Sequence, residues 1–234
     1  FHVGETKYVK LPPGTAVKSD FAFFADGYAA LKRGNYDVAL ARFMTMGERY
    51  PVDHDADSFA LPYFAYAAAK TGDAIKYERV LVSNPRTDFD HWLATALMAG
   101  ARRDVSAARS ALKTAFQLRP NTEYRPILSE YQYAEACEWL YLDTQDPLFS
   151  AALLEWVKAH QKIQPTHAWA YAMQYTYEKD PAERLRALAL TYYLDPASER
   201  IKGAAPAELE QAKNWLGKHN PFRVREQSSE ERST

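Results

Sequence analysis

The sequence predicts an all-α chain built from repeated helical hairpins, and three observations point there. The stretch from Asp20 to Pro51 carries two apolar stripes at helical spacing around one turn signal. Prolines placed to close a helix recur along the chain at 51, 85, 120, 165 and 196. The composition, 47% hydrophobic and 25% charged over 234 residues, is that of a folded globular protein and not of a disordered one.

In the first hairpin, Phe23, Phe24, Gly27, Tyr28 and Leu31 share one helix face, and Tyr36, Ala39, Leu40, Phe43 and Met46 share another. Arg33-Gly34-Asn35 lies between them, a turn signal whose glycine accepts the left-handed conformation that ends a helix. Gly27 and Ala39 are small where two antiparallel helices would cross closely. Pro51 ends the second helix because it has no amide hydrogen and restricts Tyr50. Two short helices sharing one turn cannot bury both stripes alone, so neighbouring hairpins must cover them.

This segment resembles a tetratricopeptide repeat. In that family a pattern of aromatic, leucine-glycine and tyrosine, then alanine, aromatic and proline recurs with a period of about 34 residues. The matching positions are Phe23, Gly27, Ala39, Phe43 and Pro51, while Asp26 stands where leucine and Ala30 where tyrosine is usual. The terminal prolines are spaced by 34, 35, 45 and 31 residues. The hairpin from Asp88 to Pro120 repeats the pattern with Trp92, Ala96, Ala108, Leu112, Ala115 and Pro120. The resemblance implies a right-handed α-solenoid of about five irregular helical hairpins. It would span residues 19–218, with an extended N-terminal arm or linker over 1–18, a C-terminal capping helix, and a polar flexible tail over 219–234. The alternative is an irregular helical bundle with coincidental prolines.

The remaining elements follow in order. Residues 52–57, Val-Asp-His-Asp-Ala-Asp, read as a loop. Its carboxylates suggest calcium, but it lacks the glycine and distal glutamate of a calcium loop, and Asp55 and Asp57 suit the start of a helix instead. A second hairpin runs from Ser58 through Thr71-Gly72-Asp73 to Pro85. The third spans Asp88 to Arg119, turns near Arg102-Arg103-Asp104, and buries Trp92, Leu93, Leu97, Val105, Ala108, Leu112, Ala115, Phe116 and Leu118. The fourth has helices over 127–142 and 148–163. Its Tyr131, Tyr133, Trp139 and Tyr141 point in several directions, so one of those faces must meet the arm, a second copy of the chain or a ligand. The fifth begins near His167 and turns at Lys179-Asp180-Pro181, with Arg184 where the family has a small residue. Residues 205–218 form one more amphipathic helix through Leu209, Ala212 and Trp215.

Charge and composition narrow the function. A formal net charge of −1 gives no long-range attraction to nucleic acid or to an anionic membrane, and no apolar run of about 18 residues is present to span one. The single Cys137 excludes an intramolecular disulfide and a cysteine-rich zinc site, and reads as a small buried apolar residue. The chain starts at Phe1, so a processed or excised piece of a longer protein is expected, either cytoplasmic or periplasmic after loss of an upstream signal or anchor.

No phosphate-cradling glycine loop, serine elbow or zinc-type histidine motif occurs. The six histidines are scattered, and no cofactor, metal or catalytic residue is expected. Glu135 and Glu138, three apart on one helix, read as an acidic surface patch in preference to a general acid and base. Binding is therefore the leading class. The resemblance implies a groove lined by the first helix of each hairpin, formed here by Phe21, Phe24, Tyr28, Leu31 and Lys32, and in the third hairpin by Asp90, Leu93, Leu97 and Ala101. Family members that clamp a peptide's terminal carboxylate use lysine and asparagine where Phe24 and Tyr28 stand, which argues against that partner. The expectation is a non-enzymatic scaffold or adaptor for a protein or peptide, with homo-oligomerisation left open. The alternative is an accessory domain of an envelope or polysaccharide-processing enzyme system that binds a small molecule or glycan by stacking on tyrosine and tryptophan.

Overall fold

The computed structural model describes residues 20–49, 54–72, 89–118 and 126–222. Among the described residues there are ten helices and no strand. The expected extended arm, the second helix of the second hairpin and all but the start of the polar tail lie outside them. The chain divides into two compact units, residues 1–119 and 120–234.

The first unit holds α1 (Asp20–Lys32), α2 (Tyr36–Arg49), α3 (His54–Thr71), α4 (Phe89–Ala101) and α5 (Val105–Gln117). In each case successive described helices pack on one another. The first turn forms where glycine permits it: Gly34 has φ +75°, and the amide of Asn35 donates to the carbonyl of Ala30 at 2.9 Å. A Cβ on Gly27 would lie 2.7 Å from Cε1 of Phe43, so the absent side chain is what lets α1 and α2 approach. Ala39 is fully buried at the same pairing.

Two expectations for this unit are corrected. Helix α3 begins at His54, four residues ahead of the expected Ser58, and Asp55 and Asp57 stand at the helix start that the sequence favoured for them over a calcium loop. Phe116 and Leu118 are 42% exposed instead of buried. The stripe that α5 buries is Ala108, Ala111, Leu112 and Ala115, and Phe116 stands about 100° around the helix from Ala115. Pro62 lies inside α3 and removes one backbone hydrogen bond, at about 3 kcal/mol in a helix interior. Burial of Ala60, Tyr63, Ala65, Tyr66 and Ala67 on that helix offsets the loss. At the α4–α5 turn no glycine is available, and Arg103 takes the left-handed conformation at φ 62°. Asp104 then caps α5 by accepting from the amide of Ala107 at 3.0 Å.

The second unit holds α6 (Pro126–Thr144), α7 (Pro147–Ile163), α8 (Ala168–Tyr177), α9 (Pro181–Leu194) and α10 (Pro206–His219), each packed on the next. Proline starts four of these five helices, where its missing amide hydrogen costs nothing. Asp146 and Asp180 cap α7 and α9, accepting from Leu148 at 2.9 Å and from Glu183 at 2.8 Å. The rings of α6 meet the protein itself. Tyr133 and Trp139 are buried, and Tyr141 stands edge-on to Tyr177 at 5.7 Å. The predicted last helix is present. Ala212 is fully buried in a core with Tyr175, Ala187, Leu188, Ala189 and Ile201, against which Leu209 and Trp215 pack. Arg184, out of place in the repeat pattern, lays its guanidinium 4.7 Å over the Tyr175 ring and reaches Glu208 of α10 at 3.0 Å.

Cys137 is buried on α6, and burial pushes its thiol up to about 12 against a hydrogen bond from Tyr133. Since the thiolate is the reactive form, the folded chain is expected to leave a disulfide reagent such as Ellman's unreacted at mildly alkaline pH. Unfolding in guanidinium should release one equivalent of thiol. Rapid labelling of the folded chain would contradict this burial.

Candidate functional site

The second unit carries a cleft of about 580 Å³, and its lining follows from helical periodicity. Lys158, Gln161 and Lys162 stand on one face of α7, with Pro165 one turn beyond the latter pair. Tyr171 comes from α8, and Glu183 and Arg186, three apart, from α9. Pro221 and Phe222 complete the wall after α10, with the Phe222 ring stacked on Tyr193 at 5.7 Å.

Two of these lining residues, Gln161 and Glu183, are joined by a relay of side chains through Gln174. Gln161 Nε2 donates to Gln174 Oε1 at 2.8 Å, Gln174 Nε2 donates to Glu183 Oε2 at 3.2 Å, and Arg186 Nη1 donates to the same oxygen at 3.3 Å. An ionised carboxylate only accepts, so Glu183 forces Gln174 to offer its NH₂ group. Gln174 must then turn its oxygen to Gln161, and that in turn fixes the Gln161 amide. Gln174 is fully buried, where hydrogen bonds on both ends of the amide remove the cost of desolvation. The oxygen of Gln161 is left without a hydrogen-bond partner among the described residues.

Charge in the cleft is unevenly committed. Lys158 binds Glu178 at 2.7 Å, and Glu178 also accepts from the amides of Lys179 and Asp180. Burial works to raise the Glu178 carboxyl, but Lys158 and these amides outweigh it and hold the group below its ordinary value. Arg186 touches Glu183. Lys162 forms no ion pair among the described residues. The Tyr171 hydroxyl donates to the Pro165 carbonyl at 3.0 Å, and burial pushes its phenol up despite nearby Arg186. The cleft thus holds two paired cations, Lys158 and Arg186, beside Lys162, with Glu183 fixed by the relay.

A second cluster joins α6, α7 and α8. His160 is buried and stacks on Trp156 at 4.8 Å. Its Nε2 lies 3.0 Å from Nδ1 of His167, and the Tyr131 hydroxyl lies 2.9 and 2.7 Å from the two ring nitrogens of His167. Burial, with the nearby His160 adding to it, holds His167 below its ordinary value of 6.5. A histidine lowered on folding contributes stability above about pH 6.5, and that contribution drains as pH falls through the folded value. The melting temperature is therefore expected to drop between about pH 7.5 and 5.5, with a shallower drop in His167→Gln. Identical slopes in the two proteins would assign the dependence elsewhere. The depressed Glu178 acts in a separate window, below its ordinary 4.5. Among the described residues no three histidine, cysteine, aspartate or glutamate side chains are grouped to hold a metal.

Glu135 and Glu138 are buried, at 5% and 4% exposure, and do not form an acidic surface patch. Glu138 is clasped by Arg200 Nη2 at 2.8 and 2.9 Å and by the Tyr177 hydroxyl at 2.7 Å. Burial, then the charge of Glu138, push the Tyr177 phenol far up.

The sequence-predicted groove residues fall in the first unit. Leu31, Leu93 and Leu97 are buried, at 4%, 0% and 1%, and fill the packing between helices. Phe24 is half-buried, 6.0 Å from Tyr28 and 5.5 Å from Tyr63, and Tyr28 is 5.4 Å from Tyr63. Lys32 is exposed, with Nζ 5.9 Å from the Tyr28 ring centre. Asp90 and Ala101 are half-buried. Phe21 lies on α1 with its side chain outside the described set. Sequence reasoning missed the cleft and the histidine pair. The spacing of Lys158, Gln161, Lys162 and Pro165 was the available signal for the first, and tryptophans flanking His160 and His167 for the second. No family model, no curated protein and no solved structure matches the chain.

Proposed function

We propose that the chain is a non-enzymatic scaffold that holds a segment of a protein partner. The observation that carries this reading is the cleft of the second unit, whose polar groups are fixed by the Gln161–Gln174–Glu183 relay and aimed at recognition instead of proton transfer. Pre-set hydrogen-bonding groups reduce the ordering cost of binding. The packing of each helix on its sequence neighbour within each unit supports the finer reading, a right-handed α-solenoid of tetratricopeptide type. On that reading the half-buried rings of Phe24 and Tyr28, with Lys32, contribute a second contact surface. A phage library of random 12-residue peptides panned on the immobilised chain tests the proposal. Enriched sequences that bind the folded chain in solution, and not the chain in denaturant, are the expected result. A library that enriches nothing, or only peptides that bind the unfolded chain equally well, overturns it.

A further inference from the structure

We infer that the cleft of the second unit receives one carboxylate side chain of the partner segment, held by Lys162 and Arg186, with an adjacent backbone amide of that segment on the oxygen of Gln161. The inference rests on the scaffold reading and names the chemistry that it recognises.

Lys162 is an exposed cation without an ion pair among the described residues. Arg186 spends Nη1 on Glu183, and no other hydrogen bond of its guanidinium is formed among the described residues. That leaves donors of a planar fork suited to a second carboxylate. Lys158 is already neutralised by Glu178 at 2.7 Å. The three cations Lys158, Lys162 and Arg186 stand against two carboxylates, Glu178 and Glu183, so the cleft carries one net positive charge. A single negative charge balances it. A dianionic phosphate would bring a second negative charge toward Glu183, which the relay to Gln174 holds in place.

The neutral groups narrow the ligand further. The Gln161 oxygen asks for an N–H donor beside the anion, and a peptide supplies its own amide a few bonds from an aspartate or glutamate carboxylate. Pro165, Pro221 and Phe222 offer apolar walls for the methylene stem. A volume of about 580 Å³ lies within the roughly 300–1,000 Å³ of small-ligand sites, large enough for one side chain and its flanking backbone.

The test uses labelled pentapeptide pools, acetylated and amidated so that no terminal charge competes. The central residue is glutamate, glutamine or phosphoserine, and the flanking positions are randomised without charged residues. The full chain at low salt is expected to bind the glutamate pool about tenfold tighter than the glutamine pool, as loss of a hydrogen-bonded charge implies. Salt should shrink the preference. Lys162→Ala alters an exposed side chain, so it should fold as the parent does and lose most of the preference; Lys113→Ala on α5 should keep it. Equal binding of the glutamate and glutamine pools overturns the inference. So does a preference that survives Lys162→Ala, or tighter binding of the phosphoserine pool. Library-selected binders without a glutamate preference would leave the scaffold reading standing and remove this one, whereas an empty library removes both.

Discussion

Arg200→Ala is expected to destabilise the second unit by about 3 kcal/mol at neutral pH, the lower end of the cost of breaking a buried ion pair from one side. The Arg200 side chain is 25% exposed and that of Glu138 6%, so the change strands a carboxylate that water reaches poorly. Tyr177 would remain as a donor to Glu138, but one hydroxyl does not neutralise a charge. Urea unfolding at about pH 7 checks the size. Glu138→Gln combined with Arg200→Met, which removes both charges, should lose less than Arg200→Ala alone. A loss within about 0.5 kcal/mol, the range of ordinary surface changes, would mean that the pair does not close in solution.

Leu97→Ala is expected to cost the first unit about 2–5 kcal/mol, the range for deleting a buried leucine. Leu97 is 1% exposed on α4 and Leu93 0%, so the cavity left behind has no solvent face through which to relax. Lys32→Ala, on the exposed end of α1, should change stability by no more than about 0.5 kcal/mol. Thermal or urea denaturation separates the two cases. A Leu97→Ala variant as stable as its parent would return that side chain to a ligand-facing role.

What was legible in the sequence was local. Gly34 and Asp180-Pro181 announced turns because turn chemistry is set by a residue's own backbone preferences, and the structure turns there. The stripe of Leu209, Ala212 and Trp215 announced a closing helix for the same reason. Periodicity tells which side chains share a face but is silent on what that face meets. Glu138 therefore read as a surface acid, since its counter-charge, Arg200, arrives from 62 residues away. The cleft escaped for a related reason: its cations come from α7 and α9 and its aromatic wall from beyond α10, none of which is conspicuous alone. Phe116 shows the converse failure, an apolar residue near a buried stripe that the helical angle turns outward. Leu31, Leu93 and Leu97 were placed as groove residues by the repeat resemblance, and they are buried.

The Glu208 carboxylate ties the start of α10 to two other helices. One oxygen takes Arg184 from α9, while the other accepts from the Tyr175 hydroxyl of α8 and from the Ala205 amide at the head of its own helix, each at 3.3 Å. The methyl side chain of Ala205 cannot cap that helix, so the start of α10 is secured by two other helices as well as by its own backbone. Terminal helices ordinarily fray one turn at a time. Here opening the first turn also releases the guanidinium and the phenol, which ties the unfolding of that turn to α8 and α9.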